Sequence, residues 1–86
     1  MMIAQVETGY DEHLNMEGVA CPLPLLKMKQ RLKQMTSGKI LYVTTTDSGS
    51  VKDFTTYINQ TDHVLIKQEY DQQRFHFWIK KPDGWQ

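Results

Sequence analysis

The run Cys21-Pro22-Leu23-Pro24 constrains this chain more than any other feature. A residue before proline is pushed from helical toward extended backbone, and proline fits a helix only within its first turn. Neither a helix interior nor a central strand can therefore pass through residues 21–24, and the run reads as a helix start. Downstream, Leu25, Met28, Leu32 and Met35 recur at intervals of three and four, which is one buried face of a helix from Pro22 to Met35. Thr36-Ser37-Gly38 stops it, with Gly38 suited to a left-handed backbone.

The other elements fall around this helix. A first strand is expected from Tyr10 to Met16, with Tyr10, Glu12, Leu14 and Met16 on one side. KILYVTTT (39–46), rich in β-branched and aromatic residues, reads as a mostly buried strand. Asp47-Ser48-Gly49-Ser50 turns the chain, and Ser50 with Asp53 has the pattern of a capping box. A second helix runs from Val51 to about Gln60, with Val51, Phe54 and Ile58 inward. HVLIKQEY (63–70) and RFHFWIKK (74–81), joined near Asp71-Gln72-Gln73, form a hairpin. Two helices that each need to bury one face must both lie on the sheet. The expected fold is α/β (α+β): a two-layer β-α-β-α-β-β sandwich, with a four-stranded mixed sheet and two helices on one face. Residues 10–82 form the single domain, 1–9 an N-terminal extension in which MIAQV could add a strand, and 83–86 a tail.

Composition bounds the chemistry. A chain of 86 residues buries only roughly 60–65% of the surface its unfolded form exposes, so the core is thin. No segment approaches the roughly 18 apolar residues of a membrane span, and the first residues have no signal-peptide pattern. With one cysteine there is no internal disulfide, and the reducing cytoplasm is the expected compartment. His13, His63 and His76 lack metal-ligand spacing, so neither a metal nor an organic cofactor is expected. The net charge is zero but uneven. Glu7, Asp11, Glu12 and Glu17 precede the cysteine, whereas Lys27, Lys29, Arg31, Lys33 and Lys39 follow it with no acid before Asp47.

A lone cysteine in a small domain is more often a buried apolar residue than a reactive one. Its position argues otherwise here. Cys21 falls at the N-cap, with Pro22, Leu23 and Pro24 as the first three helical residues, so the sulfur meets the positive end of a helix dipole. Thiolate is expected to be favoured there, though less than at a start with every N–H present, because two prolines remove donors. On the helical wheel Leu23 and Leu26 fall outside the buried face, beside the thiol, with Lys27 and Arg31 along one edge. A sulfur flanked by apolar side chains and bases fits docking of a partner protein, with Leu23, Leu26, Lys27 and Arg31 as the contact residues. No general base or oxyanion donor accompanies it, which argues against a closed pocket for a small substrate. Asp47 and Asp53 read as turn and cap residues, and Phe75, Phe77 and Trp78 as core and cross-strand packing.

Leu14, Gly18 and Cys21-Pro22-x-Pro24, continued through Gly38 and Asp47-x5-Asp53-Phe54, resemble the signature of the TusA/SirA-like sulfur carrier proteins over about residues 12–81. The resemblance implies the same sandwich, with Cys21 accepting sulfane sulfur as a persulfide and passing it to a partner thiol. It implies a supporting role for Leu14, Gly18, Pro22, Pro24, Asp47 and Asp53. It also implies a donor such as a cysteine desulfurase or rhodanese-like protein, and an acceptor protein. In the family the sulfur goes to tRNA thiolation, sulfur oxidation, thiosulfate use or molybdenum-cofactor-linked supply. This chain departs from the family pattern at Asn15, where an Asp is common, and from the tRNA-thiolation branch at Ala20 and His76, where basic residues are common.

Two other readings stand beside this one. A non-catalytic regulatory or interaction module would use Leu23 and Leu26 without chemistry at Cys21. Direct nucleic-acid binding through the basic helix is opposed by the zero net charge and the acidic N-terminal segment.

Overall fold

A computed structural model describes residues 9–82. The elements follow the order β1 (Glu12–Met16), α1 (Leu23–Gln34), β2 (Ile40–Thr45), α2 (Gly49–Asn59), β3 (Val64–Asp71) and β4 (Arg74–Lys80). The expected extension at 1–9, with its MIAQV strand, falls outside the described residues except for Gly9, and the tail at 83–86 falls outside them entirely. The sheet order is β1-β2-β4-β3, with β1 and β2 parallel and the other pairs antiparallel. This is the mixed four-stranded sheet expected.

The core lies between one face of the sheet and both helices. Met28, Leu32 and Met35 of α1 and its C-terminus, and Phe54 and Ile58 of α2, pack on Leu14, Leu41, Val43, Phe77 and Ile79. Phe54 and Phe77 meet edge to face with centroids 4.8 Å apart, a favoured aromatic geometry. Leu25 and Val51 lie at the margin of this cluster, half-buried. Strand alternation places the remaining side chains on the opposite, open face. There His13, Tyr42 and Trp78 stack across β1, β2 and β4, with centroids 4.5 Å and 4.7 Å apart. Because these ring faces are occupied by one another, Trp78 is a cross-strand packing residue, while Phe77 belongs to the core.

A register shift between Leu65 and Lys67 drops Ile66 from the β3–β4 pairing. Lys67 is thereby brought opposite Trp78, with its ammonium 5.2 Å from the ring centroid. The hairpin turns through Gln72 and Gln73, with φ of 49° and 66°, the left-handed pair that a two-residue loop between twisted strands requires.

Two local expectations are corrected. Helix α1 begins one residue later than the prolines implied. The Leu26 amide bonds to the Pro22 carbonyl at 3.1 Å, so Pro22 is the N-cap and Pro24 lies at the second helical position, buried. Cys21 therefore precedes the cap, and no side chain caps this end. The Cys21–Pro22 peptide is cis. The Ser50–Asp53 capping box does not form either: α2 starts at Gly49 and has no side-chain cap. Ser50 instead bonds back to Asp47 through both its backbone and its hydroxyl.

Candidate functional site

The loops leaving β1 and β2 lie side by side, because the two strands are parallel and adjacent. Carboxyl ends of parallel strands are where open sheets commonly form sites, since consecutive loops converge there. Here the loops are joined by specific hydrogen bonds. Gly18, at φ 78°, donates its amide to Thr46 Oγ1 at 2.8 Å, and the Cys21 amide donates to Asp47 Oδ2 at 3.1 Å. The Ser50 hydroxyl donates to the same Asp47 oxygen at 3.3 Å.

Cys21 is exposed, and its Sγ donates a hydrogen bond to Asp53 Oδ2 at 2.7 Å. That bond, then the partial loss of solvation, then the charges of Asp53 and Asp47, push the thiol up to about 11. The expectation of a favoured thiolate is thus reversed, and the reason is geometric. Pro22 and Pro24 have no N–H, and the Leu23 amide is spent on the Ala20 carbonyl at 3.1 Å, so the helix start offers the sulfur little. Meanwhile two carboxylates from the second loop and α2 face it, and negative charge opposes ionisation of a thiol.

The remaining residues singled out by the sequence separate into groups. Leu23 and Leu26 are 49% and 46% exposed on α1, following the cysteine loop. Lys27 is exposed on the same helix. Arg31 is not free: its guanidinium lies 3.1 Å from Glu12 Oε1 on β1. Leu14 is in the core. A groove of about 300 Å³ opens between the helices beside Asp53, lined by Leu25, Lys29, Lys52, Thr56 and Tyr57. Burial raises the Tyr57 phenol above its usual range, and Lys29 lies 5.1 Å from the centroid of its ring.

Gly49 is a site residue that sequence reasoning treated only as part of a turn. A Cβ there would lie 3.2 Å from Asp47 Oδ2 and 3.7 Å from Cys21 Cβ, so the missing side chain lets α2 begin against the cysteine loop. Thr46 and Ser50 were missed for the same reason, because turn-forming residues carry no sign of what they will face across the fold.

Comparison with known proteins agrees with this architecture. The sequence profile of the family described as Sulfurtransferase TusA matches residues 12–81. The sulfur carrier protein TusA of Allochromatium vinosum is 44% identical over 72 residues, covering 84% of this chain and 95% of that protein. YrkI of Bacillus subtilis is 35% identical over 71 residues, covering 83% of this chain and 95% of its own. Among solved structures, a SirA-like protein from Desulfitobacterium hafniense has the same fold, with a TM-score of 0.73 at 16% identity, over 85% of this chain and all of the other. The chain belongs to the sulfurtransferase TusA family.

Proposed function

We propose that the protein is a sulfur carrier, taking sulfane sulfur onto Cys21 as a persulfide and handing it to a protein partner. The observation that carries the reading is an exposed sulfur on a loop fixed by Gly18, Asp47 and Asp53, next to the exposed Leu23 and Leu26, in a chain of this family. In loading, the Cys21 thiolate attacks the outer sulfur of a donor persulfide. The Sγ–S bond forms, the donor S–S bond breaks, and the donor sulfur leaves as thiolate with the bond's electron pair. In delivery an acceptor thiolate attacks the outer sulfur of Cys21–S–SH, and Cys21 leaves as thiolate. Both steps are thiol exchange and need no other cofactor.

Leu23 and Leu26 are the landing surface, with Lys27 at its edge and Arg31 engaged with Glu12 until a partner competes for it. The donor is a cysteine desulfurase or rhodanese-like protein and the acceptor a protein thiol, with tRNA thiolation one destination, in the cytoplasm. The experiment is incubation with a cysteine desulfurase plus cysteine, or rhodanese plus thiosulfate, followed by intact-mass measurement. An added sulfur atom on the wild type and none on Cys21→Ser is the expected result; no adduct with either donor refutes the carrier reading. Under the rival interaction-module reading, Cys21→Ala would leave partner binding and function intact while polar substitutions at Leu23 and Leu26 would abolish both.

A further inference from the structure

The bond from Cys21 Sγ to Asp53 Oδ2, at 2.7 Å, exists only while the sulfur carries a proton. Asp47 grips the backbone of the same residue at 3.1 Å. Ion pairs among the described residues engage Asp11, Glu12, Glu17, Glu69 and Asp71, but neither Asp47 nor Asp53 belongs to one. Among the described residues the charges that raise the thiol are these two carboxylates, from α2 and from the loop before it. Lys29 and Lys52 line the groove beside Asp53, and neither forms an ion pair with it.

We propose that Asp53 is a latch on the empty carrier, holding Cys21 as the neutral thiol and letting go once Sγ bears a second sulfur. The proposal rests on the persulfide reading for its second half only. During loading, the proton that Cys21 gives up passes to solvent, the Cys21 thiolate takes the outer sulfur from the donor persulfide, and the donor departs as thiolate. In the product the persulfide, a stronger acid than a thiol, is carried as Cys21–Sγ–S⁻, its outer proton having also passed to solvent. Sγ then has nothing to donate, and its lone pairs face the lone pairs of a carboxylate that had been its hydrogen-bond acceptor. The attraction becomes a repulsion, and the loaded side chain leaves Asp53.

The latch makes the two states chemically unlike. The empty carrier is slow to be alkylated, oxidised or joined to another thiol, because thiolate is the reactive form. The loaded carrier is released to meet an acceptor. Asp53 is in this sense a positioning residue, reading whether sulfur is present. Raising the thiol from 9.0 to about 11 lowers the thiolate fraction at neutral pH about a hundredfold. The higher intrinsic nucleophilicity of a more basic thiolate returns about tenfold, leaving a net slowing of about tenfold.

The test follows iodoacetamide alkylation of Cys21 against pH in the full chain, for wild type and Asp53→Asn, each empty and after loading with inorganic polysulfide. Empty wild type is expected to titrate near about 11. Empty Asp53→Asn should titrate lower and react about tenfold faster at neutral pH. The two loaded proteins should react at matching rates, which a merely structural role for Asp53 would not produce. Equal rates for the two empty proteins, or equal acceleration of empty and loaded forms by the substitution, would overturn the latch. Ultraviolet titration of the thiolate in the unsubstituted protein, as a difference against Cys21→Ser, needs no Asp53 variant; an ordinary thiol titration there also overturns it. Failure of polysulfide to load Cys21 counts against the persulfide reading and against release on loading, while the empty-state comparison still decides the hold on the thiol.

Discussion

Asp47 Oδ2 accepts the amide of Cys21 at 3.1 Å, so a carboxylate 26 residues downstream fixes the backbone that carries the thiol. The same oxygen takes the Ser50 hydroxyl, and the Asp47 carbonyl takes the Ser50 amide at 3.0 Å. One side chain thus ties the loop after β1 to the start of α2.

Asp47→Ala should cost about 1–3 kcal/mol, the usual loss when hydrogen bonds to a charged group are removed. Urea unfolding reads the cost. Amide exchange at Cys21 should accelerate in the folded protein as the loop is freed. Unchanged exchange there would show that Asp47 does not hold the loop.

The raised thiol gives a pH signature with a definite sign. Because folding raises the thiol above its ordinary value of 9.0, folded protein binds the proton more tightly than unfolded chain. The resulting stability is fully present below about pH 9 and is lost as pH rises through about 11. Tyr57, raised by burial, acts in the same direction. Cys21→Ser should therefore show a shallower loss of urea midpoint over that window than wild type, with the Tyr57 contribution left in both.

Leu26→Asp should leave folding within about 0.5 kcal/mol, since the side chain is exposed. Loading by inorganic polysulfide should be unaffected. Loading from a protein donor should fall at least tenfold, as expected where an apolar contact next to the thiol supports docking. Comparing the two loading rates by intact mass separates docking from chemistry.

Lys81 is buried, and its ammonium donates to the Met35 carbonyl at 2.7 Å and the Lys33 carbonyl at 3.4 Å. It supplies positive charge to the negative end of the α1 dipole and pairs carbonyls the helix leaves over. Lys81→Met keeps the length but loses both bonds, and should destabilise by about 1.5–3 kcal/mol. Thermal unfolding checks this, with amide exchange in the last turn of α1 as the local readout.

Much of the fold was legible because it follows from local rules. The spacing of Met28, Leu32 and Met35 gave α1 its buried side, and the β-branched and aromatic runs marked β2 and the closing hairpin as strands. The exposure of Leu23 and Leu26 follows from the same wheel. Helix starts were less legible. Two prolines bound the start of α1 but do not select which carbonyl accepts its first hydrogen bond, and that fell to Pro22. Asp53 satisfies a capping pattern in the sequence, yet its carboxylate found a sulfur across the site instead.

The sequence by itself determined that a lone, exposed thiol stands before a proline-started helix, with leucines beside it, because steric limits on proline and the period of the helix are local. It could not determine the charge around that thiol. Along the chain Cys21 is followed by bases, whereas in the folded protein it faces Asp47 and Asp53, which lie 26 and 32 residues away. Electrostatics depends on distance in space, and only the pairing of β1 with β2 brings those carboxylates to the sulfur.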